Sequence, residues 1–148
     1  MKVFLEWLDD WYLGVEEIDR QHVNLADLFN RVADSLHDAT SYTGAGADSM
    51  PLVLALQEET RRHFTDEEAV MREHGYPDLS EHHREHIMLL AELQEFIREI
   101  EAGKRHFDLA TLTALKHWLI NHVIDSDLMF AAPLKRFPDS ARTPDRCR

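Results

Sequence analysis

Seven side chains in this sequence have the types and spacing of a two-metal ligand set: His22, His63, Glu67, His82, His86, His122 and Asp127. His63 and Glu67 are four residues apart, and so are His82 and His86. On a helix, residues four apart share one face. Imidazole and carboxylate together suit iron or zinc, and no soft sulfur donor accompanies them. Five imidazoles and two carboxylates exceed what one four-coordinate ion takes. They suit two ions that share the carboxylates.

Four helices are needed to position these groups. The first is predicted from about Glu16 to His37, with an apolar stripe of Ile18, Leu25, Phe29, Val32 and Leu36 that includes His22. Thr40 to Ser49 contains Gly44 and Gly46 and reads as a loop. Asp48 or Ser49 is the expected cap of the second helix, with Pro51 in its first turn. That helix carries Leu52, Leu56, His63, Glu67, Val70 and Met71 and stops at Gly75. Ser80 is the expected cap of the third helix, which carries His82, His86, Leu89, Leu93, Phe96 and Ile100 and ends at Gly103. Asp108 caps the fourth, which carries Leu112, Leu115, Leu119, His122 and Met129 before Pro133.

Short connections favour antiparallel neighbours, hence an all-α, up-down-up-down four-helix bundle with an N-terminal arm. His22, His82 and His86 lie early in helices one and three. His63, Glu67, His122 and Asp127 lie late in helices two and four. In an antiparallel bundle all seven meet at one end. A lone histidine on an apolar stripe is ordinarily a satisfied core residue. A buried carboxylate is costly unless it is paired or bound to a metal, so the set points to metal where no single member does. The bundle is expected to occupy residues 1–132, with a loose tail over 133–148.

The remaining histidines read as ordinary. His37 and His74 lie near helix C-termini, where a cation complements the dipole. His83 is about 100° round the helix from His82, and His106 is in a loop. His117 falls off the fourth stripe but lies only five residues before His122. Asp125 competes with Asp127, because five residues past His122 is not directly above it on an ideal helix.

Composition excludes several classes. A formal charge of −12 over 148 residues argues against nucleic acid and anionic membranes, which require basic patches. The single cysteine, Cys147, has no internal disulfide partner and reads as a free thiol in a reducing compartment. The N-terminal sequence lacks a secretory pattern, and no apolar run is long enough for a membrane span. A cytoplasmic protein is the expectation.

Ordered strings along the chain extend the case. They are Gly14-Val15-Glu16-Glu17-Ile18-Asp19-Arg20-Gln21-His22, His63-Phe64-Thr65-Asp66-Glu67-Glu68, Gly75-Tyr76-Pro77, His82 through His86, and Trp118-Leu119-Ile120-Asn121-His122 followed by Asp127. In this order, from Trp7 to Phe130, the chain resembles the hemerythrins, in particular their single-domain bacterial members. One departure is Phe130, where the family pattern suggests tyrosine three residues after the acid. The resemblance favours His122 over His117 and Asp127 over Asp125. It implies two iron ions, cycling between Fe2+ and Fe3+, with an oxo or hydroxo bridge. His82, His86 and His122 would serve one iron and His22 and His63 the other, with Glu67 and Asp127 shared. The second iron is then one ligand short, which leaves a place for dioxygen. Leu119 matches the family's gas-pocket leucine, and Leu25 and Phe29 are further candidates for its wall.

Three functional classes follow. The first is a dioxygen carrier, store or sensor module, with no enzymatic role beyond weak peroxidase activity. The second is a di-iron oxidase or peroxidase. No Glu is followed three residues later by His, which counts against the ferritin-like pattern. His-Glu-x-x-His is also absent, which counts against a zincin peptidase. The third is a metal-free interaction module, which the ligand set disfavours. A stand-alone oxygen carrier is the expectation.

Overall fold

The structure is a computed structural model, and it describes residues 3–39 and 45–136. An arm with a short 3-10 turn, Asp9–Trp11, leads into α1, Glu16–Ala39. α2 spans Ala45–Glu73, α3 spans Leu79–Glu101 and α4 spans Leu109–His122. A π turn, Val123–Asp127, joins α4 to α5, Leu128–Arg136. Among the described residues there is no strand. α1 lies beside α2 and α4, and α2 lies beside α3. The start of α1 meets the end of α2 at His22 and His63, whose rings are 4.5 Å apart. Its end meets the start of α2, where the Ser35 and Ser49 hydroxyls are 2.9 Å apart. The bundle is therefore up-down-up-down, as expected.

Local chemistry sets the helix ends. Gly75 has φ +64°, its N–H donates to Arg72 O, and the Tyr76 N–H donates to Met71 O. Gly103 repeats the arrangement at φ +75°, with Gly103 N–H to Ile100 O and Lys104 N–H to Glu99 O. Both are Schellman closures, which need a left-handed residue that glycine adopts without strain. At the start of α4, the Asp108 carboxylate accepts from the Thr111 N–H and the Thr111 hydroxyl accepts from the Asp108 N–H. The arm is pinned by a reciprocal pair, Leu5 N–H to Asn30 Oδ1 at 2.8 Å and Asn30 Nδ2 to Leu5 O at 2.9 Å.

Four local expectations need correction. α2 starts at Ala45 rather than beside Ser49, so Pro51 lies inside the helix and not in its first turn. α3 is entered from Asp78 rather than Ser80, with no side-chain cap bond; acceptance of the His82 N–H by the Asp78 carbonyl starts the ladder two residues early. The fourth helix is not one α-helix to Pro133: the π turn interrupts it, and α5 carries Pro133 within it as far as Arg136. Met129, expected on the inward stripe, is 62% exposed, while Phe130 and Ala131 are buried. The extra residue of the π turn advances the register by one and turns Met129 outward. The rest of the expected tail, including Cys147, lies outside the described residues.

The core divides into two apolar clusters with a polar layer between them. The larger contains Leu25, Phe29, Leu56, Leu93 and Leu119. The smaller contains Leu13, Ile18, Val70, Met71 and Phe130. On α1, His22 lies between Ile18 and Leu25. On α2, His63 and Glu67 lie between Leu56 and Met71. The same order holds on α3, and on α4 continued into α5.

The Asp108 cap gives a stability prediction. Asp108→Ala should cost about 1 kcal/mol and lower Tm by about 2–4 °C, while Asp108→Asn keeps most of the stability. The Thr111 N–H bond holds the Asp108 carboxyl below its ordinary value. The cap's contribution is therefore present above the ordinary carboxylate range and is lost as pH falls through the depressed value. Thermal melts of wild type and Asp108→Ala should converge in acid.

Candidate metal centre

The structure brings all seven predicted side chains together and buries every one of them. They form two overlapping groups. One is Glu67, His82, His86, His122 and Asp127, and the other is His22, His63, Glu67 and Asp127. Within each group the donor atoms lie within 4.8 Å of one another. Both carboxylates belong to both groups.

The oxygens divide cleanly between the groups. Glu67 Oε1 lies 3.1 Å from His82 Nε2, 3.0 Å from His86 Nε2 and 4.0 Å from His122 Nε2. Its partner Oε2 lies 4.0 Å from His22 Nε2 and 3.8 Å from His63 Nε2. Asp127 Oδ1 lies 3.1 Å from both His82 Nε2 and His122 Nε2, and Oδ2 lies 3.3 Å from His22 Nε2. Glu67 thus offers one oxygen to three imidazoles and the other to two, and Asp127 offers one oxygen to two imidazoles and the other to His22.

The π turn explains how Asp127 reaches this layer. The Leu128 N–H donates to Val123 O, an i to i+5 bond. The wider turn carries Asp127 almost directly above His122, where an α-helix would rotate it away. Asp125 is exposed instead, and so is His117. The two ambiguities left by spacing are resolved as orientation: His122 and Asp127 point in, and His117 and Asp125 point out.

Further groups fix the imidazoles from behind. The His63 Nδ1–H donates to Gln21 Oε1 at 2.8 Å, and Gln21 Nε2 donates to Asp66 Oδ2. The His86 Nδ1–H donates to Glu68 Oε2 at 2.7 Å, and exposed His83 donates to the other oxygen of Glu68. Phe64 stacks on His86, with ring centroids 3.7 Å apart and planes within 6°. Spacing alone gives Gln21, Glu68 and Phe64 no role. All three sit in the quoted strings beside a site residue, and that adjacency was the available signal.

Several buried polar atoms in this layer make no hydrogen bond: both nitrogens of His22, His63 Nε2, Glu67 Oε2 and both oxygens of Asp127. Such atoms normally find partners, and each orphan costs about 1–3 kcal/mol. Some of the close approaches above are ion-pair distances without hydrogen-bond alignment. Donors about 3 Å apart are what metal bonds of about 2.0–2.2 Å at right angles produce. A pair of cations satisfies the orphaned atoms together, so these residues fit a dinuclear centre.

Protonation follows the same geometry. Burial, aided by the nearby His22, pushes His63 down to about 3, so it is neutral. Burial also opposes charge on His82, but Asp127 and Glu67 outweigh it and raise His82 to about 9. The same two carboxylates raise His122 to about 11 against its burial. Burial would raise Glu67, yet bonds from His122, His82 and His86 hold it well below its ordinary value. Metal ligation requires neutral imidazoles, so filling this layer displaces the protons that the carboxylates attract.

Comparison with known proteins agrees with this geometry. The family model for the hemerythrin HHE cation binding domain matches residues 13–132. A bacteriohemerythrin of Stenotrophomonas maltophilia is 32% identical over 132 residues, covering 88% of this chain and 82% of its own. One from Clostridium acetobutylicum is 26% identical over 122 residues, covering 82% and 94%. A crystal structure of wild-type hemerythrin superposes with TM-score 0.76 at 25% identity, covering 87% of this chain and 96% of that one. Among the described residues, no helix is long and apolar enough to cross a membrane.

The opposed imidazole shifts are measurable after chelation. His63 should remain neutral at pH 5, while His82 stays cationic up to about pH 9. The raised values of His82 and His122 stabilise the metal-free fold below the ordinary imidazole value, and that gain is lost as pH rises through about 9 and about 11. His63 has the opposite sign and costs stability as pH falls below the ordinary value. Imidazole 15N shifts across a titration check this, and Asp127→Asn should lower the His122 midpoint.

Proposed function

The chain belongs to the hemerythrin family, and on that premise we propose that it binds dioxygen reversibly at a non-haem di-iron centre. The observation that carries this reading is the unequal split around the two carboxylates. Three imidazoles face one oxygen of Glu67 and two face the other. His82, His86 and His122 would hold one iron, His22 and His63 the second, and Glu67 and Asp127 both. An ion on the two-imidazole side would have one protein donor fewer, which would leave room for a small exogenous ligand. Iron bound there supplies the electrons that dioxygen binding requires.

The protein's own part is to exclude water and fix the donors. Leu119 is buried one turn before His122, and Leu25 is buried one turn after His22, with Phe29 a turn further along α1. These three belong to the larger apolar cluster, and we assign them to the gas pocket. A dry wall there slows hydrolysis and proton entry, which favours release of dioxygen unchanged over its reduction. The physiological role in this reading is oxygen storage or delivery, performed by residues up to 132 without the tail.

Purified protein should carry two irons per chain. His122→Ala and Asp127→Ala should lose the coupled centre, while His117→Ala and Asp125→Ala retain it. Iron analysis of the four variants decides this, and loss confined to His117→Ala or Asp125→Ala would overturn the assignment.

The reduced protein should take up dioxygen and give it back under vacuum, with a visible band that appears and fades accordingly. Leu119→Asn should change the lifetime of the oxygenated protein by about tenfold at unchanged iron content, since a buried polar group there is worth about 1–3 kcal/mol. Oxygen that cannot be recovered, with repeated turnover of peroxide or an organic reductant, would move the protein to the enzyme class.

A further inference from the structure

The two nitrogens of His122 meet groups that the same π turn controls. On one side, Nε2 faces Asp127 Oδ1 at 3.1 Å. On the other, Nδ1 lies 3.2 Å from Glu85 Oε2, and Glu85 Oε1 accepts a 2.7 Å hydrogen bond from Ser126 Oγ. Ser126 and Asp127 are adjacent residues of that turn. His122 is buried, and its Nδ1 makes no aligned hydrogen bond, although the Glu85 carboxylate is close enough to form one by a small rotation. Glu85 itself is 38% exposed and sits in a groove of about 540 Å³ with Glu81, Met88 and Met129.

We propose that Glu85, held by Ser126, is the positioning carboxylate of His122. The inference rests on His122 being a metal ligand through Nε2. With Nε2 on the metal, the ring proton must reside on Nδ1, and a buried N–H requires an acceptor. Glu85 is the carboxylate in reach. Accepting that proton fixes the ring plane and raises the donor strength of Nε2. Gln21 and Glu68 serve His63 and His86 in the same way, but from the packed faces between helices. Glu85 acts from an open groove and depends on Ser126. Its placement is thus tied to the turn that also delivers Asp127, so one backbone irregularity sets both ends of this imidazole.

The test uses the iron-loaded full chain and reads iron release to a chelator, together with solvent exchange of the hyperfine-shifted Nδ1 proton of His122. Glu85→Ala should speed iron release by about 10–100-fold and make the Nδ1 proton exchange faster. Glu85→Gln, which keeps the shape and an acceptor oxygen, should fall between it and wild type. Ser126→Ala should show a smaller effect that vanishes in the Glu85→Ala background, and Ser126→Thr should restore it. Glu81→Ala removes an equal charge from the same groove and should release iron at the wild-type rate. Wild-type release and proton exchange in Glu85→Ala, or an equal effect of Glu81→Ala, would overturn the positioning role alone. Wild-type protein that holds no iron would overturn the di-iron reading on which it rests.

Discussion

A carboxylate cannot sit in an apolar interior without compensating charge, and this bundle buries two of them. Glu67 and Asp127 are fully enclosed, with an apolar cluster above and another below. Desolvation of each would cost several kcal/mol if it were uncompensated. The five imidazoles around them provide partial compensation, and that need dictates much of the local structure. Each of the four helical segments brings at least one histidine to this level. Gln21 and Glu68, in turn, hold imidazoles whose outer nitrogens would otherwise be stranded.

The layering also separates the site from water. Side chains of α1 to α4 close one side through Leu25, Leu56, Leu93 and Leu119, and Ile18, Met71 and Phe130 close the other. A polar layer between two dry ones keeps charge interactions strong. The same dryness leaves few alternatives for any atom that lacks a partner. It accounts for the concentration of unbonded buried polar atoms in this layer. The cluster of buried donors and its apolar surround are therefore mutually dependent features of one design.

The π turn is the irregularity that makes the layer complete. A straight α-helix from His122 would have pointed Asp127 off the layer and put Met129 in the core. With one residue accommodated in the wider turn, Asp127 faces in, Met129 faces out and Phe130 enters the smaller cluster. There the Phe130 ring meets Tyr76 edge-on at 4.9 Å. Tyr76 closes α2 through its bond to Met71, so the end of α2 and the start of α5 share one contact.

The sequence by itself determined the periodic features. Helical spacing of apolar residues placed His22, His63, Glu67, His82, His86 and His122 on inward stripes, and short connections brought those stripes to one level. Gly75, Gly103 and Asp108 marked helix ends through local conformational and capping chemistry that needs no tertiary partner. The order of the strings pointed to the family. What departed from periodicity was decided only by the fold. Asp127 and Met129 could not be placed from a repeat of 3.6, because a π turn has no signal in spacing and forms where packing on both sides rewards it. The start of α2 before Pro51 and the entry into α3 from Asp78 likewise departed from the capping residues that local sequence offered. The pairing of Glu85 with His122, and the division of each carboxylate's oxygens between two imidazole groups, exist only between helices distant in sequence.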